Sequence, residues 1–242
     1  MWQLGTLAEI RQETARVASL YFDIPEWAGH VAGQHVDVRL TAEDGYVAER
    51  SYSIASPPEE TRVALTVERL DDGEVSPYLV GELQVGDKLE LRGPIGGFFV
   101  WRAENDRPLL LIAGGSGVVP LMAMLRHREK AKGNAPARLL FSSRTEMDII
   151  YRTELDRLVE AADGLAVYHT LTREKPAGWK GFARRIDAAM MQEVAWQKEA
   201  DPAVFICGPT SFVEAAAQLL VAMGYPPASI KTERFGATGG SN

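Results

Sequence analysis

Apolar and polar residues alternate with a period of two along much of the first 100 positions, and this pattern predicts β-strands. Turn signals rich in Gly, Pro and Asp-Gly separate the strand-like runs. The predicted strands lie at 6–12, 16–24, 35–40, around Arg50, at 63–70 and at 87–92. Six short strands at this spacing are typical of a closed sheet, so we predict an antiparallel six-stranded β-barrel over residues 1–101.

The hydrophobic pattern changes after a polar hinge at 101–108. Residues 109–113 form a continuous apolar run, which is typical of a strand buried on both faces of a parallel sheet. Further strands are predicted at 137–141, 165–170, 203–207 and 230–235, alternating with helices at 121–130, 154–162, 186–195 and 212–223. The fold class is therefore α+β with two domains, in which the barrel precedes an α/β parallel-sheet nucleotide-binding domain at 108–235. We expect residues 236–242 to be a flexible tail.

Composition narrows the functional classes. The net charge of −7 argues against nucleic acid as a partner, and no apolar run approaches the length of a membrane span. The single cysteine, Cys207, excludes an internal disulfide and a plant-type iron–sulfur cluster. The four histidines lack metal-ligand spacing, so no metal site is predicted. The N-terminus shows no secretory signal, and we expect a cytoplasmic protein.

The first candidate site is the polar strand segment Arg50-Ser51-Tyr52-Ser53. Strand alternation puts Arg50 and Tyr52 on one face and Ser51 and Ser53 on the other. An arginine can bind a phosphate and an aromatic side chain can stack on a planar ring, so the segment predicts a flavin-binding site. The alternative is an ordinary half-exposed strand.

The second candidate site is the turn Gly73-Glu74-Val75-Ser76, which enters a short helix with Ser76 as the N-cap and Pro77 at the first helical position. The free N–H groups of a first helical turn attract anions, so a pyrophosphate could bind there. Simple capping by Ser76 is the alternative.

The third candidate site is the glycine-rich segment 114–120, which follows a buried strand and precedes a helix. Gly115, Ser116 and Gly117 would allow the backbone to approach a dinucleotide pyrophosphate closely. The segment departs from the Rossmann fingerprint because Pro120 stands where the third glycine would be. A plain strand-to-helix turn is the alternative.

Polar residues at the end of the next strand bear on nucleotide choice. Ser143 and Arg144 stand where an acidic residue would hold the ribose 2′-hydroxyl of NAD. A serine and an arginine favour a 2′-phosphate instead, and Arg152, Arg173 and Arg184 could join them. The sequence therefore favours NADPH, with NADH possible.

Two more candidate segments lie at the carboxyl ends of later strands. Cys207-Gly208-Pro209 follows the fourth strand of the second domain. Cys207 has no nearby base for covalent catalysis, so its options are simple packing or a compact wall beside a nicotinamide. On the last strand, Glu233 could lie near a transfer site and Phe235 could stack on a flavin.

These motifs, in this order, resemble those of the ferredoxin–NADP reductase family. Segment 50–53 resembles its Arg-x-Tyr-Ser flavin motif, and 73–76 its Gly-x-x-Ser pyrophosphate motif. Segment 114–120 is similar to its Gly-Gly-Thr-Gly-x-x-Pro loop with Ser116 in place of Thr, and 207–209 to its Cys-Gly-Pro element. The sequence departs from the pattern at Phe212, where Met is frequent, and at Phe235, which seven residues follow although the family's terminal aromatic is often last.

The resemblance implies an FAD-binding barrel, an NAD(P)-binding domain, and hydride transfer from NAD(P)H to FAD. It implies that Arg50 contacts the flavin pyrophosphate, Tyr52 packs on the isoalloxazine and Ser53 hydrogen-bonds near its N5. It places Ser53, Cys207 and Glu233 at the transfer site. It extends cofactor contacts to Ser51, Val67, Gly73, Glu74, Val75, Ser76, Gly115, Ser116, Gly117, Pro120, Ser143, Arg144, Arg173, Arg184, Cys207, Gly208, Pro209 and Phe235.

The single cysteine leaves no place for a fused ferredoxin domain in this sequence, so we expect a separate acceptor protein, such as a ferredoxin or an oxygenase component. Two alternatives stay open. One is a flavin reductase that acts on free flavin, and the other is a nucleotide-binding subunit without catalytic activity.

Overall fold

The structure is a computed structural model that describes residues 1–133, 135–161 and 164–235. The tail predicted at 236–242 lies outside these residues. No helix in the described part of the chain is long and apolar enough to cross a membrane.

The N-terminal half forms a six-stranded antiparallel sheet with the order β4-β3-β6-β1-β2-β5. The strands are β1 (Trp2–Thr14), β2 (Val17–Asp23), β3 (His35–Thr41), β4 (Val47–Ser53), β5 (Val63–Glu68) and β6 (Lys88–Ile95). A bridge between Ile54 and Leu65 joins the end of β4 to β5, so the two edges of the sheet approach each other. Side chains that alternate inward, such as Leu20, Val36 and Leu91, fill the interior. The predicted antiparallel barrel is confirmed.

The short helix α1 (Ser76–Gly81) corrects the predicted cap. Ser76 is the first helical residue, Val75 is the N-cap, and no side chain caps the helix. The Ser76 hydroxyl instead accepts a hydrogen bond from the Leu70 amide at 3.1 Å. The prediction of Ser76 as N-cap was therefore wrong, because its hydroxyl satisfies the loop before the helix rather than the first helical turn.

The second half forms a five-stranded parallel sheet with the order β11-β10-β7-β8-β9. Its strands are β7 (Leu109–Gly114), β8 (Ala137–Ser143), β9 (Leu165–Leu171), β10 (Ala203–Pro209) and β11 (Ile230–Phe235). Helices α2 (Val118–Lys130) and α3 (Arg152–Glu160) pack on one face, and α4 (Ala188–Val194) and α5 (Thr210–Ala222) on the other. The predicted parallel sheet with helices on both faces is confirmed. Helix α2 begins three residues earlier than predicted because its first turn tolerates Pro120.

The two halves share one hydrophobic cluster, in which Val17, Ala55 and Ala64 of the barrel pack with α2 and α3. A buried arginine adds a polar link. The Arg126 guanidinium donates to the Ala55 carbonyl at 2.7 Å and to the Glu154 carboxylate at 2.8 and 2.6 Å. The segment that follows β4 is thereby held against the second half of α2.

Candidate functional site

The register of β4 against β3 sets the orientation of the predicted flavin-binding segment. Arg50 lies opposite Val38 and Tyr52 opposite Val36, whereas Ser51 lies opposite Asp37. Because Val36 and Val38 belong to the barrel core, Arg50 and Tyr52 share the inward face at its rim, as alternation predicts.

The other side chains of the segment have defined surroundings. Tyr52 packs against the barrel core, and burial raises its pKa to about 12, so the phenol stays protonated at neutral pH. The Ser51 hydroxyl donates to Asp37 at 2.6 Å on the outer face. Ser53 lies half-buried at the end of β4, opposite His35. The segment therefore presents a neutral phenol at the rim, with Ser53 two residues further along the strand.

The first two predicted phosphate-binding segments lie side by side. The Arg50 guanidinium forms a salt bridge with Glu74 of the 73–76 turn, and the Tyr46 hydroxyl donates to the same carboxylate at 2.6 Å. Arg50 remains 47% exposed. Arg50 is thus accessible to a phosphate, which would compete with the Glu74 carboxylate for the guanidinium.

Several predicted cofactor residues in this region offer only backbone atoms. The side chains of Val67, Val75 and Ser76 are buried, with exposures of 1%, 1% and 6%. Gly73 closes the turn, and a Cβ there would lie 2.9 Å from the Ser76 hydroxyl oxygen. A ligand at this turn would therefore meet main-chain groups rather than these side chains.

The glycine-rich loop between β7 and α2 is built from backbone. Gly115 has a φ of +55°, a conformation that favours glycine. A Cβ on Gly117 would lie 2.1 Å from the Cys207 carbonyl oxygen, so the loop packs directly on the end of β10. A single 3₁₀ turn at Gly115–Gly117 leads directly into α2, and the Val118 amide donates to the Gly115 and Ser116 carbonyls. The N–H groups at the start of this helical segment are therefore those of the glycine-rich loop itself, and Pro120 lies in the first turn of α2. The structure thus brings the 114–120 and 207–209 motifs into contact.

Cys207 and Glu233 form a wall beside this loop, because β10 and β11 pair them in parallel register. Cys207 is fully buried, and burial together with the nearby Glu233 raises the pKa of its thiol. Burial also raises the pKa of Glu233 to about 7. Its Oε2 atom is buried and has no hydrogen-bond partner among the described residues. Cys207 is therefore a compact neutral group, and Glu233 is the titratable one.

The ends of the last two strands carry the remaining predicted residues of this wall. Pro209 pairs with Phe235 in the same register, and Gly208 adopts a φ of +156° close to the Gly114 backbone. The Phe235 side chain is half-buried and packs against the cluster that both domains share. Its carbonyl accepts a hydrogen bond from Thr210 at 3.4 Å.

The residues predicted for a 2′-phosphate lie at the ends of the neighbouring strands β8 and β9. The Arg173 amide donates to the Arg144 carbonyl at 2.9 Å, and both side chains are exposed. Ser143 is buried, and its hydroxyl has no partner among the described residues. Arg184 differs, because its guanidinium is held by Asp187 at 2.5 Å. Arg144 and Arg173 are thus brought together with no ion pair to a described carboxylate, whereas Arg184 is already engaged.

Sequence reasoning missed two contacts that join the two domains. The Ser116 hydroxyl donates to Glu68 at the end of β5, at 2.9 Å, and Arg126 reaches Ala55. These partners are 48 and 71 positions apart in the chain, so spacing could not reveal them. The one available signal was an arginine, Arg126, directly after the apolar stretch of α2.

Comparison with known families covers most of the chain. Residues 5–100 match the model described as an oxidoreductase FAD-binding domain, and residues 111–218 match that of an oxidoreductase NAD-binding domain. The matches correspond to the barrel and to the parallel-sheet half.

Individual proteins agree with these assignments. The ferredoxin–NADP reductase B of Sorangium cellulosum is 37% identical over 84% of this chain and 84% of its own length. The glycine betaine monooxygenase reductase subunit of Chromohalobacter salexigens is 34% identical over 95% of this chain, which spans 63% of that relative. Among solved structures, the FAD/NAD-binding domain of a nitric oxide dioxygenase from Vibrio cholerae aligns with a TM-score of 0.86 at 25% identity, covering 97% of this chain and 98% of that one.

Proposed function

Because this chain belongs to the ferredoxin–NADP reductase family, in which an FAD-binding domain is joined to an NAD-binding domain, we propose that it oxidises NAD(P)H through FAD and passes the electrons to a redox partner. The acceptor lies outside the two domains in this proposal. Among the described residues, no group of His, Cys, Asp and Glu side chains could hold a metal ion that would serve as the next carrier.

The observation that carries the proposal is the contact between the glycine-rich loop of one domain and the barrel of the other. The Ser116 hydroxyl donates to Glu68, which directly follows the predicted cofactor residue Val67, and Arg126 of α2 donates to the Ala55 carbonyl, two residues after the end of β4. Hydride transfer requires the reacting atoms of two cofactors to approach to about 3–3.5 Å, which only adjoining sites allow. A shared, buried interface supports that arrangement.

The residues of the barrel fit FAD. In the proposal, Arg50 binds the pyrophosphate in exchange for Glu74, and the backbone of 73–76 supplies N–H donors at the start of α1. Tyr52, neutral and half-buried, offers a ring for stacking, and Ser53 lies two residues along the strand. Bound FAD would supply the chemistry of accepting a hydride and releasing electrons singly or in pairs.

The residues of the second domain fit a dinucleotide. The glycine loop keeps a Cβ-free backbone next to the first turn of α2, where the helix field favours phosphates. Cys207 and Glu233 would form the wall beside the nicotinamide and exclude water from it. We propose that Arg144 and Arg173 bind the 2′-phosphate of NADPH, because both are exposed without a described ion-pair partner.

The identity of the redox partner is proposed from the relatives. The matched proteins from Chromohalobacter and Sorangium are named as a monooxygenase reductase subunit and a ferredoxin–NADP reductase. We therefore propose an oxygenase component or a ferredoxin as the acceptor. We also propose a cytoplasmic location, because a sequence with one cysteine has no internal disulfide framework.

The test is an absorbance spectrum of the purified protein, followed by separate anaerobic titrations with NADPH and NADH. We expect a flavin spectrum that NADPH bleaches at lower concentration than NADH does. A protein that binds no flavin after incubation with FAD would contradict the proposal. A flavin that dissociates readily and turns over with free flavin alone would favour the flavin reductase alternative, and a flavin that neither nucleotide reduces would favour the non-catalytic subunit.

A further inference from the structure

One acidic side chain reaches into the proposed dinucleotide site from the opposite domain. Glu68 is the last residue of β5, and its Oε2 atom accepts the Ser116 hydroxyl hydrogen at 2.9 Å. No described Lys, Arg or His forms an ion pair with this carboxylate, whereas the neighbouring Arg69 pairs with Asp71. The Glu68 charge is therefore not neutralised by a cation of the described chain.

The position of Ser116 makes this contact important. Ser116 lies between Gly115 and Gly117, directly before the first turn of α2. The N-terminus of this 13-residue helix attracts anions, and the family match assigns the surrounding domain to dinucleotide binding. A carboxylate hydrogen-bonded to Ser116 therefore lies beside the region where the dinucleotide phosphates would bind.

We propose that Glu68 acts as an internal anion that opposes dinucleotide binding. Its carboxylate holds the Ser116 hydroxyl when the site is free, and the dinucleotide binds by taking this donor from Glu68. The negative charge that remains nearby repels the phosphates, so Glu68 limits affinity and favours release of the oxidised dinucleotide. This inference rests on the proposed function, because it assumes that the loop binds NAD(P)H.

Two chemical properties distinguish this role from a simple link between domains. A link requires only a hydrogen-bond acceptor of the right length, which glutamine also provides. Opposition to phosphates requires the negative charge, which glutamine lacks. The Glu68→Gln variant therefore keeps the link and removes the repulsion.

The experiment measures binding of NADP⁺ and NAD⁺ to the flavin-loaded protein by titration calorimetry. These oxidised forms bind without turnover, so the readout is independent of catalysis. We expect Glu68→Gln to lower the dissociation constant for both by about three- to tenfold, the size expected for removing one nearby charge in a solvated cleft. The ratio of the wild-type dissociation constant to that of Glu68→Gln should shrink as the salt concentration rises from about 0.1 M to about 1 M, because the Debye length falls from about 10 Å to about 3 Å.

Two controls separate the possible outcomes. Glu43→Gln makes the same change in net charge at an exposed turn between β3 and β4. This variant should bind NADP⁺ and NAD⁺ with the same affinity as the wild type. Glu68→Ala removes both charge and acceptor and should also tighten binding. Unchanged affinity in Glu68→Gln, with weaker binding in Glu68→Ala, would overturn the inference and leave Glu68 as a link. A wild-type protein that binds neither dinucleotide would contradict the proposed function itself.

Discussion

The proposed flavin site and the dinucleotide loop both suit phosphates, but they are built differently. The proposed flavin site consists of exposed side chains, and Arg50 and Tyr46 both bind the Glu74 carboxylate. The dinucleotide loop relies on backbone, since Gly117 packs against the Cys207 carbonyl with no room for a Cβ. Side chains can be exchanged without moving the chain, whereas the loop cannot change without moving β10. Substitutions in the first region should therefore affect binding alone, and those in the second should affect binding and stability together.

The largest effect is expected from Gly117→Ala. The new Cβ would need the space of the Cys207 carbonyl oxygen, 2.1 Å away, and backbone would have to move. We expect a loss of stability on the order of 3 kcal/mol or more, together with loss of NADP⁺ binding. Urea unfolding and calorimetry measure the two effects. Gly97→Ala is the matched control because a Cβ there meets no atom of the described residues within 4 Å. Wild-type behaviour of Gly117→Ala would remove the distinction between the two regions.

Arg50→Ala tests the opposite expectation for the flavin site. Loss of a charge-assisted hydrogen bond to phosphate should weaken FAD binding by about ten- to hundredfold. Stability without flavin should change by less than about 1 kcal/mol, because the salt bridge to Glu74 is half-exposed. Flavin content after dialysis and urea unfolding provide the measurements. Arg62→Ala, which loses an exposed pair with Asp23, is the control. Full flavin retention in Arg50→Ala would exclude the assigned role.

Glu233, in the wall of the proposed dinucleotide site, should make the free energy of unfolding depend on pH. Its pKa is raised by burial from the model-compound value of 4.5 to about 7. Between these values the unfolded state loses a proton that the folded state keeps, so the free energy of unfolding falls as pH rises and levels off above about 7. The total loss should be on the order of 3 kcal/mol.

Urea unfolding across this pH range, with Glu233→Gln beside the wild type, measures the contribution. The difference in stability between the two proteins should grow in favour of the variant as pH rises from 5 to about 8. Glu43→Gln controls for the loss of one carboxylate at an exposed position. Parallel pH profiles for the wild type and Glu233→Gln would show that burial does not shift this group.

The smallest effect is expected at the proposed 2′-phosphate site, which again consists of exposed side chains. Arg144→Ala should raise the KM for NADPH by about tenfold and leave the KM for NADH within about twofold, because only NADPH has the 2′-phosphate. Steady-state kinetics with both donors measures this difference. Arg157→Ala, whose guanidinium pairs with Glu129 between α2 and α3, is the control. Equal changes in both KM values would remove the NADPH assignment.

How much of the fold and of the site could be predicted depends on whether the contacting residues are close together or far apart in the chain. Alternation placed Arg50 and Tyr52 on the face where the register has them, because strand geometry is local. The glycine loop was recognisable because a strand, a glycine run and a helix are consecutive in the chain. The cap of α1 was predicted wrongly, because the Ser76 hydroxyl can accept a hydrogen bond either from the first helical turn or from the preceding loop. In the structure it accepts the hydrogen bond of the Leu70 amide in that loop.

By itself, the sequence determined the two domains, the order of their motifs and the residue types available to each cofactor, because these depend on periodicity and on consecutive residues. Only the tertiary structure decided which distant residues contact one another. Glu68 meets Ser116 across 48 positions, Arg126 meets Ala55 across 71, and Cys207 meets Glu233 by register between strands. Such contacts depend on how two domains dock and how strands order in a sheet, and many different spacings along a chain can produce the same approach in space.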